Sequence, residues 1–204
     1  MSLINRRKYF IIILYVLLLS TGMFSASNFG RAVENENSNL STRKRELKEI
    51  AEELRTAILR KDIDTILKYI VIGPDGFDSY EEAKELLETT PAVRCLLFDT
   101  ACQIEFLRNN AGENNPYRVS VLDFFKAHPD LRIEIHFWPK NRDLVTILYV
   151  SRGGKFDRSY PRWVNDINSL KQWGKEFVQG CMRYTKDGWR YHSADLGIFF
   201  CSTE

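Results

Sequence analysis

Four side chains in this 204-residue chain could together do proton chemistry: Asp195, Tyr184, Tyr191 and Tyr149. A carboxylate set among phenols suits abstraction of a proton beside a carbonyl, because apolar walls raise the carboxyl pKa until it acts as a general base. The tyrosine hydroxyls would then stabilise an enolate-like oxyanion. Ser193 belongs to the same face, and Tyr149 joins from a neighbouring hairpin. The plainer account has the rings packing with hydroxyls at the rim while Asp195 terminates a strand.

Other constellations are absent from the sequence. His128 precedes a proline, His136 shares a strand face with Glu134, and His192 shares one with Arg183 and Arg190. None has a further partner at motif spacing, so all three read as surface histidines. There is no G-x-S-x-G, H-E-x-x-H or C-x-x-C, and Ser151-Arg152-Gly153-Gly154-Lys155 lacks the spacing of a phosphate loop. No cofactor and no metal site is expected.

The element that must position the tyrosines is a hairpin within residues 177–201, two alternating runs joined at Lys186-Asp187-Gly188. Asp-Gly between such runs predicts a tight primed turn, both of whose central residues need positive φ. A loop of two residues (187–188) or four (185–188) puts Met182 and Tyr184 on one face with Trp189, Tyr191 and Ser193. That apolar face is assigned to the core. Gln179, Cys181, Arg183, Arg190 and His192 are expected on the wetter one.

Upstream, alternating runs at 132–138 and 144–150 flank a turn-rich 139–143 and predict a second hairpin. Residues 43–61 carry Leu47, Ile50, Ala51, Leu54, Ala57 and Ile58 at helical spacing, and a second short helix follows at 63–69. Ser79 with Glu82 is a capping box opening a helix, Thr90-Pro91 starts another turn, and 120–127 reads as a helix. Residues 103–115 are ambiguous between helix and strand.

Residues 1–27 contain Arg6-Arg7-Lys8, an apolar run, small residues at 25–27 and no acidic residue, which predicts a signal peptide cleaved after Ser27. An uncleaved signal anchor is the alternative, and the sole route by which a membrane enters. Loss of the segment removes three of 29 basic residues and none of 27 acidic ones, leaving 26 against 27. Nothing in that balance points to nucleic acid. Residues 28–42 are polar and aperiodic, a linker or disordered arm, and 43–204 form one domain.

All four cysteines follow the signal, and an even count in an oxidising compartment, periplasmic or extracellular, suggests two disulfides. Cys95 and Cys102 can bridge if the chain turns at Asp99-Thr100. Cys181 to Cys201 is disfavoured in a straight hairpin, where they stand on the order of 20 Å apart.

Helices followed by hairpins predict an α+β fold, with N-terminal helices packed on one face of a curved antiparallel sheet built from C-terminal hairpins. At its two ends, residues 57–69 (AILRKDIDTILKY) and 186–190 (KDGWR), the chain resembles the NTF2-like, cystatin-like superfamily. The long connection 71–115 and the apparent insertion 151–175 depart from that pattern. The resemblance implies either a non-catalytic binding or accessory module, for an unknown small molecule or protein partner, or a small-molecule lyase or isomerase using Asp195 and the tyrosines. The first is the leading reading.

Overall fold

The computed structural model describes residues 39–73, 76–110, 118–154 and 173–191. The chain divides into two units, Met1–Arg45 and Glu46–Glu204. In the first, residues 39–45 are helical, so 39–42 belong to a helix and not to the arm expected there. The signal segment lies outside the described residues.

The second unit has the α+β architecture expected. Helix α1 (46–60) is followed by α2 (Ile63–Leu67), α3 (Tyr80–Thr89), α4 (Pro91–Phe98), α5 (Thr100–Asn110) and α6 (Val121–Ala127). Strands β1 (Arg132–Trp138), β2 (Asn141–Val150), β3 (Phe177–Thr185) and β4 (Gly188–Tyr191) then form one antiparallel sheet in sequential order, not closed among the described residues. Among the described residues no helix is long and apolar enough to cross a membrane.

The helix boundaries follow local chemistry. Asp62 caps α2 by accepting from Thr65 N, and Ser79 caps α3 by accepting from Glu82 N. The Glu82 carboxylate reaches back to Asp78 N at 2.7 Å, a slightly displaced capping box. Pro91 opens α4, where its missing N–H costs nothing. The ambiguous stretch from Gln103 to Asn110 is helix, because Asp99 turns the chain and its carboxylate accepts from Cys102 N at 3.0 Å, capping α5.

Residue 61 is unusual. Lys61 N donates to Ile58 O and Asp62 N to Ala57 O, the paired bonds of a Schellman ending to α1. That ending places Lys61 at φ 55°, where glycine is the usual occupant. Lys61→Gly should therefore raise stability by up to about 1 kcal/mol, the left-handed penalty relieved less the extra freedom of glycine in the unfolded chain. A urea midpoint that falls would contradict this.

The last hairpin pairs Tyr184 with Trp189 and Thr185 with Gly188 around Lys186-Asp187, the register of the four-residue alternative. The primed turn is not formed: Gly188 has φ 91°, but Asp187 is not in the left-handed region. Instead the Thr185 hydroxyl donates to Gly188 O and accepts from Asp187 N. Parity is kept, so Met182, Tyr184, Trp189 and Tyr191 share a face as expected. In the other hairpin β2 begins at Asn141, earlier than predicted, with a register shift between Phe137 and Trp138.

The wetter face expected of the last hairpin is not found on β3. Gln179 and Cys181 are 1% exposed, although parity puts them on the supposedly wet face. The hairpin, read alone, has one dry side, but both faces of β3 are dry over most of its length. Thr146, Leu148 and Val150 of β2 lie on that same face and are also buried. An unbroken buried run from Val145 to Val150 is the mark of a strand covered on both sides.

Candidate functional site

The tyrosines predicted to face a pocket close the interior instead. Tyr149 and Tyr191 are each 1% exposed. The Tyr149 hydroxyl donates to Ala51 O of α1 at 3.0 Å, and the Tyr191 hydroxyl donates to Ile66 O of α2 at 2.6 Å. Tyr191 N donates to Tyr69 O at 2.8 Å. Burial pushes both phenols above their ordinary pKa, so they stay protonated donors. Each thereby ties a helix to the sheet with a hydrogen bond already committed to the backbone. Tyr184 points elsewhere: it is 37% exposed and stands edge-on to Trp189 at 5.0 Å. Asp195 and Ser193 lie outside the described residues, as does His192. The structure thus places Tyr149 and Tyr191 in one core and leaves Tyr184 at its rim.

The face of β1 expected to carry His136 and Glu134 also carries Arg132, which makes a polar row. His136 Nε2 lies 3.1 Å from Glu134 Oε2, and Glu134 Oε1 accepts from Arg132 Nε at 2.7 Å. Alternate residues on a strand share a face, so the signal was in the spacing. On the same face Trp138 Nε1 donates to Thr146 Oγ1 at 3.1 Å, and that hydroxyl lies 3.6 Å from Cys181 Sγ. Cys181 is disulfide-bonded, so the threonine is the donor to sulfur. Its pairing partner is not among the described residues; Cys201 lies outside them.

A second polar cluster joins α5 to α6. Thr100 Oγ1 donates to Asp123 Oδ2 at 2.5 Å, and Ser120, the N-cap of α6, donates to the same oxygen at 3.0 Å. The Thr100 bond is the main reason the Asp123 carboxyl sits below the usual carboxylate range, with burial opposing it. A depressed folded pKa contributes stability above the unfolded value, near pH 4, that is lost as pH falls through the folded one. Thr100→Val should cost about 1–2 kcal/mol at pH 7, and the gap from the parent should narrow as the pH drops below ~4. Urea midpoints between pH 7 and pH 3 measure it; a pH-independent gap would assign the loss to packing.

One cavity open to solvent lies among the helices, where α2, α3, α4 and the start of α5 meet. It measures roughly 430 Å³ and is lined by Ile63, Leu87 and Phe98 with Lys61, Glu88, Arg94, Asp99 and Cys102. Lys61 Nζ stands 5.9 Å over the Phe98 ring, a cation–π contact. Cys102 is bridged to Cys95 with Cα atoms 5.2 Å apart, the local disulfide expected from a turn at Asp99. No sequence pattern unites these residues, which come from four elements.

Among the described residues no three side chains are grouped to hold a metal ion. The described residues define an α+β domain whose sheet is latched to its helices by its own tyrosines, with a charged, apolar-floored groove on the helical side. Compared with protein-family models, with curated proteins and with solved structures, the chain finds no match in any of the three.

Proposed function

We propose that this chain is an exported binding or accessory protein, non-catalytic and of NTF2-like type, working in the periplasm or outside the cell. The observation that carries the reading is the commitment of the Tyr149 and Tyr191 hydroxyls to Ala51 O and Ile66 O. An isomerase or lyase using Asp195 with Tyr149, Tyr184 and Tyr191 needs phenols that converge on a substrate. Two of these three are spent on backbone carbonyls, and Tyr184 lies at the rim.

Two bonded cysteine sites, Cys95–Cys102 and Cys181, support an oxidising compartment. The basic and apolar residues of 1–27 supply the export signal. Its partner is a small molecule or another protein, with no role for nucleic acid. The test is expression of the full-length chain in a secreting bacterium, followed by intact mass and thiol trapping. A mature chain beginning at Asn28 with no free thiol is expected. An uncleaved cytosolic chain with reactive thiols would sink the reading.

A further inference from the structure

We infer that the Cys95–Cys102 bridge is a thiol-exchange site, opened at Cys102 by a small thiol with an apolar body that enters the groove between α2, α3, α4 and α5. The inference goes beyond the binding-protein reading and needs only the bridge and the groove. The two cysteines are unequally placed: Cys95 is fully buried, whereas Cys102 is part-exposed and lines the cavity of roughly 430 Å³. Access decides which sulfur of a disulfide an incoming thiolate attacks, and here it favours Cys102. Cys181, also disulfide-bonded, is 1% exposed and offers no such approach.

The corner around the bridge is held by bonds that use no sulfur. Asp99 N donates to Cys95 O at 3.0 Å, Gln103 N donates to Asp99 O at 2.9 Å, and Cys102 N donates to the Asp99 carboxylate at 3.0 Å. One residue on, Thr100 Oγ1 donates to Asp123 and accepts from Ser120 N, which ties the start of α5 to α6. A bridge whose surroundings keep their shape without it exchanges from the folded state and need not wait for global unfolding. The lining sets the choice of thiol. Its two cations, Lys61 and Arg94, and two carboxylates, Glu88 and Asp99, cancel, so what a ligand gains there is burial against Ile63, Leu87 and Phe98.

The thiolate attacks Cys102 Sγ and forms a mixed disulfide there. The Cys95–Cys102 bond breaks with its electron pair on Cys95 Sγ, which takes up a proton. Cys95 remains in reach, its Cα 5.2 Å from that of Cys102, so it attacks back, expels the thiol and restores the bridge unless a second thiolate intervenes. That second thiolate attacks the ligand sulfur of the mixed disulfide and releases the Cys102 thiolate with a symmetrical disulfide of the ligand. Two thiols are then oxidised, and the bridge has gained their two electrons.

The test treats the folded, oxidised chain in native buffer with 2-phenylethanethiol or 2-mercaptoethanol, then quenches with acid, alkylates and maps the peptides by mass. Cys95 and Cys102 should be released roughly tenfold or more faster than Cys181, at a rate unchanged by urea below the unfolding transition. The phenyl thiol should open the bridge roughly tenfold faster than the hydroxy thiol, once each is normalised to its rate with a free dialkyl disulfide. Two single variants, treated with bis(2-phenylethyl) disulfide, test the direction of attack. Cys95→Ala should take up a phenylethylthio group at Cys102, whereas Cys102→Ala should leave the Cys95 thiol unmodified until urea unfolds the chain. Release no faster than that of Cys181, or only in unfolding urea, overturns the inference and makes the bridge purely structural. Equal normalised rates for the two thiols, or modification of Cys95 as readily as of Cys102, overturns it as well.

Discussion

Tyr191→Ala should lower the free energy of unfolding by roughly 3–5 kcal/mol, and Tyr191→Phe by about 1–2 kcal/mol, both read from urea denaturation. The larger figure is a cavity cost. The ring is buried, faces Met182 across the ladder and meets Tyr69 edge-on at 6.3 Å, so its removal strands packed neighbours that cannot all collapse inward. The smaller figure isolates one hydrogen bond. Helix α2 has only five residues; Thr65 O and Leu67 O accept from Lys68 N and Ile70 N as the chain leaves it, and Ile66 O accepts from the sheet. Tyr191 serves two carbonyls of this stretch, Ile66 O through its hydroxyl and Tyr69 O through its backbone N–H. Phenylalanine keeps the second bond and leaves Ile66 O buried beside an apolar ring edge, where an unmet acceptor is costly. The pair of variants also separates the two roles considered for this residue. A latch loses stability in Tyr191→Phe and leaves ligand binding intact; a catalytic phenol would lose turnover with stability nearly unchanged.

What could be read from the sequence was local chemistry that no tertiary contact overrides. Ser79 with Glu82 and Pro91 at a first helical position name their own places. The face shared by Met182, Tyr184, Trp189 and Tyr191 survived a wrong turn type because either even loop gives the same parity. Gln179 and Cys181 were misplaced because burial of a sheet face depends on what packs over that face, which strand parity within one hairpin does not carry. Lys61 illustrates a second kind of blindness. A left-handed helix ending is foreseen from glycine or asparagine, and a lysine there carries no local mark. The groove was out of reach for a related reason: Lys61, Leu87, Arg94 and Phe98 converge only once four helices have packed. The tyrosines were legible as inward-facing but not as saturated, since their acceptors, Ala51 O and Ile66 O, are backbone atoms with no residue-type signature.

The double replacement Cys95→Ala with Cys102→Ala should lower stability by about 2.5 kcal/mol, the chain-entropy estimate for a loop closed over a separation of seven residues. The effect acts on the unfolded chain, which regains freedom that the bridge had removed. The corner itself is held by other bonds: Asp99 N donates to Cys95 O at 3.0 Å, Gln103 N to Asp99 O at 2.9 Å, and Cys102 N to the Asp99 carboxylate. Helix α5 should therefore still leave α4 at Asp99 in the variant, which would fold. Adding Asp99→Ala removes the cap and should cost about 1 kcal/mol alone, but more in the variant without the bridge, because bridge and cap restrain one turn. Additive losses would mean that they act on separate parts of the fold. Reductant supplies the control. The double variant keeps the Cys181 bond, so reduction should destabilise it further, and insensitivity to reductant would show that the Cys181 bond contributes nothing. A double variant as stable as the parent would place the strength of this corner wholly in Asp99.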